Sequence, residues 1–212
     1  MDRNKIKLTI ILLAITVPIS LATLLYQFSI NKGNIGTTSK GTLVIPVLDI
    51  AELQLTDAGG KPAYQSFEEM TTNVSPEDYD PRPWQLLYLG STDCEAECQE
   101  RLYFLRQLHI RLGSESSRLE RAYVLAGDDV LTQSTVDYLQ KEQGDMRVLH
   151  ADAGKLAQVL QRTVKEGEDP IASHYIYVMD PVGNIMLYFT PSNDADQILD
   201  DIDKLLDQSS LG

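Results

Sequence analysis

Beyond residue 41 the chain alternates between short apolar runs and longer stretches with an apolar residue every three or four positions. Trp84-Gln-Leu-Leu-Tyr-Leu89 is nearly continuous in apolar character, the pattern of a central strand covered on both faces. Leu102, Leu105, Leu108 and Leu112 then fall on one stripe, which predicts a helix beginning around Glu95 and capped at its end by Gly113. Ala122-Tyr-Val-Leu125 predicts a strand, Thr132 to Gln143 a helix closed by Gly144, Met146 to Leu149 a short strand, and Ala153 to Arg162 another helix. Ser173 to Met179 and Ile185 to Phe189 read as strands joined by the turn Asp180-Pro-Val-Gly183. Ala195 to Leu206 forms the closing helix, with Ile198, Ile202, Leu205 and Leu206 as its apolar stripe. Upstream, Thr42 to Leu48 and Glu52 to Thr56 read as short strands, Ala58-Gly-Gly60 as a hairpin turn, and the polar stretch Glu68 to Arg82 as a loop. The succession predicts an α/β sheet with parallel and antiparallel parts.

The first 41 residues follow a different pattern. Leu8 to Phe28 is uncharged and mostly apolar, and as a helix it would reach roughly 30 Å, the thickness of a bilayer core. Arg3, Lys5 and Lys7 precede it, so the positive-inside bias puts residues 1–7 in the cytoplasm and everything after the span across the membrane. A cleaved signal peptide would have a shorter apolar region ending in small residues, whereas this one ends in Tyr26-Gln-Phe28, which reads as an interfacial anchor. The expected organisation is therefore a cytoplasmic N-terminus (1–7), a transmembrane anchor (8–28), a flexible linker (29–41) and one folded domain (42–212). It suits a single-pass protein of a bacterial-type inner membrane, with its domain on the periplasmic or extracytoplasmic side.

Charge narrows the partners. The formal net charge is -13 over 212 residues, and the basic residues form no stripe, so nucleic-acid binding is not expected. The acidity suits cationic partners or serves solubility. There is no Gly-rich phosphate loop, no His-x-x-x-His pair and no Gly-x-Ser-x-Gly elbow.

The candidate chemistry lies in the only two cysteines, Cys94 and Cys98, placed where the Trp84–Leu89 strand gives way to the helix. Ligands of open α/β sheets collect at such strand ends. If both cysteines lie in the first helical turn, their spacing of four puts them on one face, near the upper limit of disulfide reach. Two thiolates and an imidazole would form a soft set suited to Cu(I), while zinc would want a fourth ligand such as Asp93 or water. Of the three histidines, His109 is about three turns beyond Cys98 and His150 has no tie to the pair. His174, at the start of a strand, is the one candidate for a third ligand. Asp93, Glu95, Glu97 and Glu100 oppose the stabilisation of a thiolate by the helix N-terminus, which argues against a strongly oxidising role. A structural staple is the remaining reading of the pair, weakened because so short a loop yields little stabilisation.

The stretch Tyr88-Leu-Gly-Ser-Thr-Asp-Cys94-Glu-Ala-Glu-Cys98 resembles the Sco (SenC) family of cytochrome oxidase assembly proteins, whose pattern is Tyr-x-Gly-x-Thr-x-Cys-x-x-x-Cys. The Asp180-Pro-x-Gly183 turn and the N-terminal anchor resemble that family too, so the likeness runs along nearly the whole chain. It implies a thioredoxin-like fold, and a copper chaperone or thiol reductant that helps build the copper centre of a respiratory oxidase. The implied partners are an oxidase subunit or its assembly factors. The implied copper ligands are Cys94, Cys98 and a downstream histidine. This sequence departs from the pattern at Glu95 and Gln99, where the family has proline, at Asp128-Asp129, which lacks a following proline, and at Ala172, where counting back from the Asp-Pro turn places the family's histidine. His174 stands two residues further on, about 6.6 Å along a strand. A metal-free thiol-disulfide oxidoreductase and a non-catalytic assembly factor on a degenerate thioredoxin scaffold stay open beside the copper reading.

Overall fold

A computed structural model of the chain describes residues 7, 12–24, 39–73, 82–127, 129–165 and 167–209. The chain divides into two compact units, residues 1–38 and Ser39–Gly212. In the first, residues 12–24 form helix α1, with Leu12, Leu13, Ile15, Val17, Ile19, Leu21 and Leu24 exposed. Among the described residues no helix is long and apolar enough to cross a membrane. The rest of the predicted span, 8–11 and 25–28, lies outside the described residues, as do residues 1–6 and most of the linker.

The second unit is built on a six-stranded sheet in the order β1-β6-β5-β2-β3-β4. Its strands are β1 (Thr42–Asp49), β2 (Trp84–Gly90), β3 (Leu119–Ala126), β4 (Arg147–Ala151), β5 (Ile176–Met179) and β6 (Asn184–Phe189). β2, β3 and β4 run parallel, while β5, β6 and β1 are antiparallel to their neighbours. Helices α2 (Phe67–Asn73), α3 (Ala96–Arg111), α4 (Gln133–Glu142), α5 (Ala153–Leu160) and α6 (Ala195–Gln208) complete it. Every residue of β2 is buried, because alternate side chains enter two different cores. Leu86 and Tyr88 join the Leu102, Leu105 and Leu108 stripe of α3 and Ile198, Ile202 and Leu206 of α6. Leu87 and Leu89 face Leu156 and Leu160 of α5, with Ile50 and Leu53, on the other side.

The start of the domain is pinned by Asp201 of α6. Its buried carboxylate accepts from the Ser39 hydroxyl (2.9 Å) and from the amides of Lys40 (2.6 Å) and Gly41 (2.8 Å). Three donors on one buried carboxylate offset its desolvation and fix where the domain begins.

Three expected elements are corrected. Glu52–Thr56 is not a strand: Ile50–Leu53 forms a 3-10 turn capped by the Asp49 carboxylate, Gln54 turns left-handed at φ 51, and only Thr56 makes isolated bridges, to Pro62 and His150. The polar stretch after Gln65 is not all loop. Residues 67–73 are helical, and Ser66 and Glu69 exchange side-chain-to-amide hydrogen bonds in a capping box. Residues 74–81 fall outside those described. Finally, Ser173 and His174 precede the strand, which starts at Ile176; His174 sits at φ 51, in the left-handed region.

Candidate functional site

The loop from β2 to α3 is shaped by a close approach. Gly90 ends β2 against its neighbour β3, and a Cβ there would fall on the Tyr123 ring. Glycine lets the buried tyrosine lie flat against the backbone, and its hydroxyl donates to the Ser91 carbonyl (2.5 Å). Thr132 donates its amide to the Thr92 carbonyl (2.9 Å), and the Cys94 amide donates to Thr135 Oγ1 (2.9 Å), so α4 holds the loop from the other side. Glu95 is the N-cap of α3 and makes no side-chain cap bond. Cys94 therefore stands outside the helix, before the cap, and Cys98 inside its first turn. The two do not share a helical turn as the spacing suggests.

The chain's bend at Glu95 brings the cysteines closer than a helix would. Their Cα atoms are 5.2 Å apart, within the ordinary disulfide range, and the sulfurs are bonded. Both residues are buried. Cys98, rather than Cys94, lines a cavity of about 590 Å³ whose other walls include Tyr88, Asp93, Glu95, Glu97, Asp169 and His174. Ala172, where the resemblance places a histidine, lines it as well.

His174 is held by what it faces. Its Nδ1 lies 2.7 Å from the Tyr88 hydroxyl, the two rings stack, and its Nε2 lies 3.7 Å from the Glu97 carboxylate. These contacts offset the strain of a left-handed non-glycine residue, of order 1–2 kcal/mol. Burial pushes the Tyr88 hydroxyl well above the usual tyrosine range, so it stays a neutral hydrogen-bonding group.

The structure thus brings Cys98 and His174 to one cavity and joins Cys98 to Cys94. Among the described residues no group of three or more His, Cys, Asp or Glu side chains is placed to hold a metal ion. In this disulfide form the two sulfurs are bonded to each other and are not available as thiolate donors, so reduction would have to come before copper; the Tyr88 contact at His174 Nδ1 leaves Nε2 as its open donor. His109 bonds the Ser116 carbonyl and Asp145, and His150 lies in β4, both away from the cavity. Asp129 is not among the cavity residues, and Asp128 is outside those described. Thr135 and Tyr123, which hold the loop, carry no signal near the cysteines in the sequence.

A dithiol or disulfide at the junction of a central strand and the following helix, in a sheet flanked on both faces, defines a thioredoxin-like protein. The chain belongs to the family described as transmembrane-like, thioredoxin-like, C-terminal domain, which matches residues 84–209. No curated protein matches it in sequence. In fold it is similar to yeast Sco1 with copper bound, at 15% identity and a TM-score of 0.53, over 82% of this chain and 96% of that one. It is similar also to apo Sco1 of Thermus thermophilus, at 14% identity and a TM-score of 0.52, over 81% and 99%.

Proposed function

We propose that the protein is a membrane-tethered, Sco-like thiol protein that reduces the cysteines of a copper site during assembly of a respiratory oxidase. The observation that carries this reading is the Cys94–Cys98 pair, joined at the strand-to-helix junction with Cys98 in a cavity wall. In its reduced form the pair would pass two electrons to a client disulfide: one thiolate attacks, a mixed disulfide forms, and the other thiolate resolves it. An upstream dithiol of the same compartment would reset it. The exposed apolar side chains of α1 support a tether. So do Thr16 and Thr23, whose hydroxyls donate to the Leu12 and Ile19 carbonyls and so satisfy their own donors within the helix. The positive residues before α1 support a cytoplasmic N-terminus and an extracytoplasmic domain.

Copper as cargo is a second reading, favoured by one observation: Cys98 and His174 line the same cavity. Once reduced, Cys94, Cys98 and His174 offer the soft donors that Cu(I) prefers.

One experiment separates the two. The full chain, reduced anaerobically, is mixed with the disulfide form of an oxidase copper-binding domain, and in parallel with Cu(I) and a competing chelator. Thiol transfer to the client with a trappable mixed disulfide is expected. Absence of transfer would reject the reductant reading. Retention of Cu(I) that is lost in His174→Ala would establish the cargo reading, and no retention would end it.

A further inference from the structure

The charges around the cavity bear on which clients it admits, a question that presupposes the exchange reading above. Cys98, one half of the disulfide, lies in the wall of a cavity of about 590 Å³, and the side chains around it would set the selectivity of exchange there. Four carboxylates line it: Asp93 from the loop, Glu95 and Glu97 at the start of α3, and Asp169 from the segment before β5. The other titratable groups facing it are His174 and Tyr88, so even a charged imidazole leaves the balance negative. No lysine or arginine lines it among the described residues. Three of the carboxylates have partners that hold them toward the cavity, while Glu95 at the N-cap makes no side-chain cap bond. Asp169 accepts from the amides of Ile171 (2.8 Å) and Ala172 (3.4 Å), Asp93 from the Thr132 hydroxyl (3.4 Å), and Glu97 faces His174 (3.7 Å).

Thiol exchange makes that arrangement selective. The attacking group is an anion, and it must enter among four like charges to reach Cys98. A thiolate flanked by positive groups overcomes the repulsion, and one flanked by acids adds to it. We propose that this cavity selects thiols and disulfides carried on positively charged segments, through Asp93, Glu95, Glu97 and Asp169. A client thiolate attacks Cys98 Sγ, the Cys94–Cys98 bond breaks, and the electron pair leaves on the Cys94 sulfur, which takes a proton from water. A second client thiolate then attacks the client sulfur of the mixed disulfide and releases Cys98. The client is oxidised by two electrons and the protein is reduced by two. By microscopic reversibility the same surface governs the proposed physiological direction.

The test is the reduction rate of the oxidised full chain by three small thiols, each referred to its thiolate concentration: cysteamine (cationic), 2-mercaptoethanol (neutral) and thioglycolate (anionic). Cysteamine is expected to exceed thioglycolate by roughly tenfold or more at low ionic strength. The ratio is expected to fall several-fold at about 1 M salt, where the Debye length is about 3 Å. It is also expected to collapse toward unity in Asp93→Asn/Glu95→Gln/Glu97→Gln/Asp169→Asn. Should that variant fail to fold, the salt dependence on the unaltered chain still decides. Equal rates for the three thiols at low salt overturn the selectivity while leaving the exchange reading standing. A disulfide that no thiol reduces until the chain is unfolded overturns both.

Discussion

Cys94→Ser and Cys98→Ser are each expected to abolish dithiol-disulfide exchange while leaving a folded domain. Exchange needs both sulfurs, one to attack and one to resolve, so either single variant should lose at least about a hundredfold in turnover with a small-molecule disulfide. The fold should survive for two reasons. The loop's attachment to α4 runs through the Cys94 backbone amide and Thr135, which the substitution leaves in place. The loop closed by the disulfide spans five residues, Cys94 to Cys98, and chain entropy assigns so short a closure about 2 kcal/mol. Trp84, the only tryptophan, is buried at the start of β2 and reports unfolding from within the core. A urea titration followed by its fluorescence should show a modest loss of stability. Undiminished turnover in either variant would remove the pair from the chemistry. A chain that no longer folds would make the disulfide a staple, the bland reading of two close cysteines.

The separation of fold from chemistry in that experiment mirrors what could be read from the residues. β2 was legible because its unbroken apolar run admits few alternatives, and the α3 stripe because four leucines repeat at helical spacing. The Asp180-Pro-Val-Gly183 turn was equally plain; Gly183 donates its amide to the Asp180 carbonyl (3.0 Å) at φ 100. Helix α2 was missed although its signature is present, since Ser66-Phe-Glu-Glu69 is a capping box and only the following polar residues suggest a loop. The Glu52–Thr56 strand was a wrong period reading of Leu53 and Leu55, both buried: Leu53 ends a 3-10 turn and Leu55 follows the left-handed Gln54.

The site divides in the same way. The cysteines announced themselves by type and position. A helix beginning around Glu95 already leaves Cys94 just before it; what spacing alone cannot show is that Glu95 is extended at the cap (ψ -177), which sets the distance between the sulfurs. His174 was expected on a strand, where a shift of two residues would carry it about 6.6 Å from the position of Ala172. In the loop that arithmetic does not apply: a left-handed residue turns the chain, and Ala172 and His174 both reach the cavity wall. The contact that holds His174 comes from Tyr88, eighty-six residues away, and no local pattern encodes it. The acidic surroundings were legible as composition, but their convergence on one cavity depends on Asp169, which arrives from the segment before β5, distant in sequence from the cysteines.

Alkali should unfold the domain steeply above about pH 10. Burial pushes the Tyr64 hydroxyl up to about 12, partly offset by the nearby Arg147, and pushes Tyr88, Tyr123 and Tyr177 up further. Each raised value means that the folded chain keeps a proton that the unfolded chain gives up near pH 10. Between those two values the unfolded state binds fewer protons, so stability falls as pH rises; below pH 10 the contribution is fully present. For Tyr64 alone the two-unit shift amounts to roughly 2 kcal/mol by pH 12. Four such hydroxyls together rival the roughly 5–15 kcal/mol that hold a typical domain. The transition, followed by far-ultraviolet circular dichroism, should coincide with a cooperative rise in tyrosinate absorbance. Tyr88→Phe should make the pH dependence shallower by one proton's worth, while the lost hydrogen bond to His174 lowers stability near neutral pH by about 1 kcal/mol. Ionisation of these four tyrosines near pH 10 in a chain that stays folded would show that their hydroxyls are not shielded by the core. That outcome would also undo the placement of Tyr88 as the buried, neutral partner that holds His174 against the cavity.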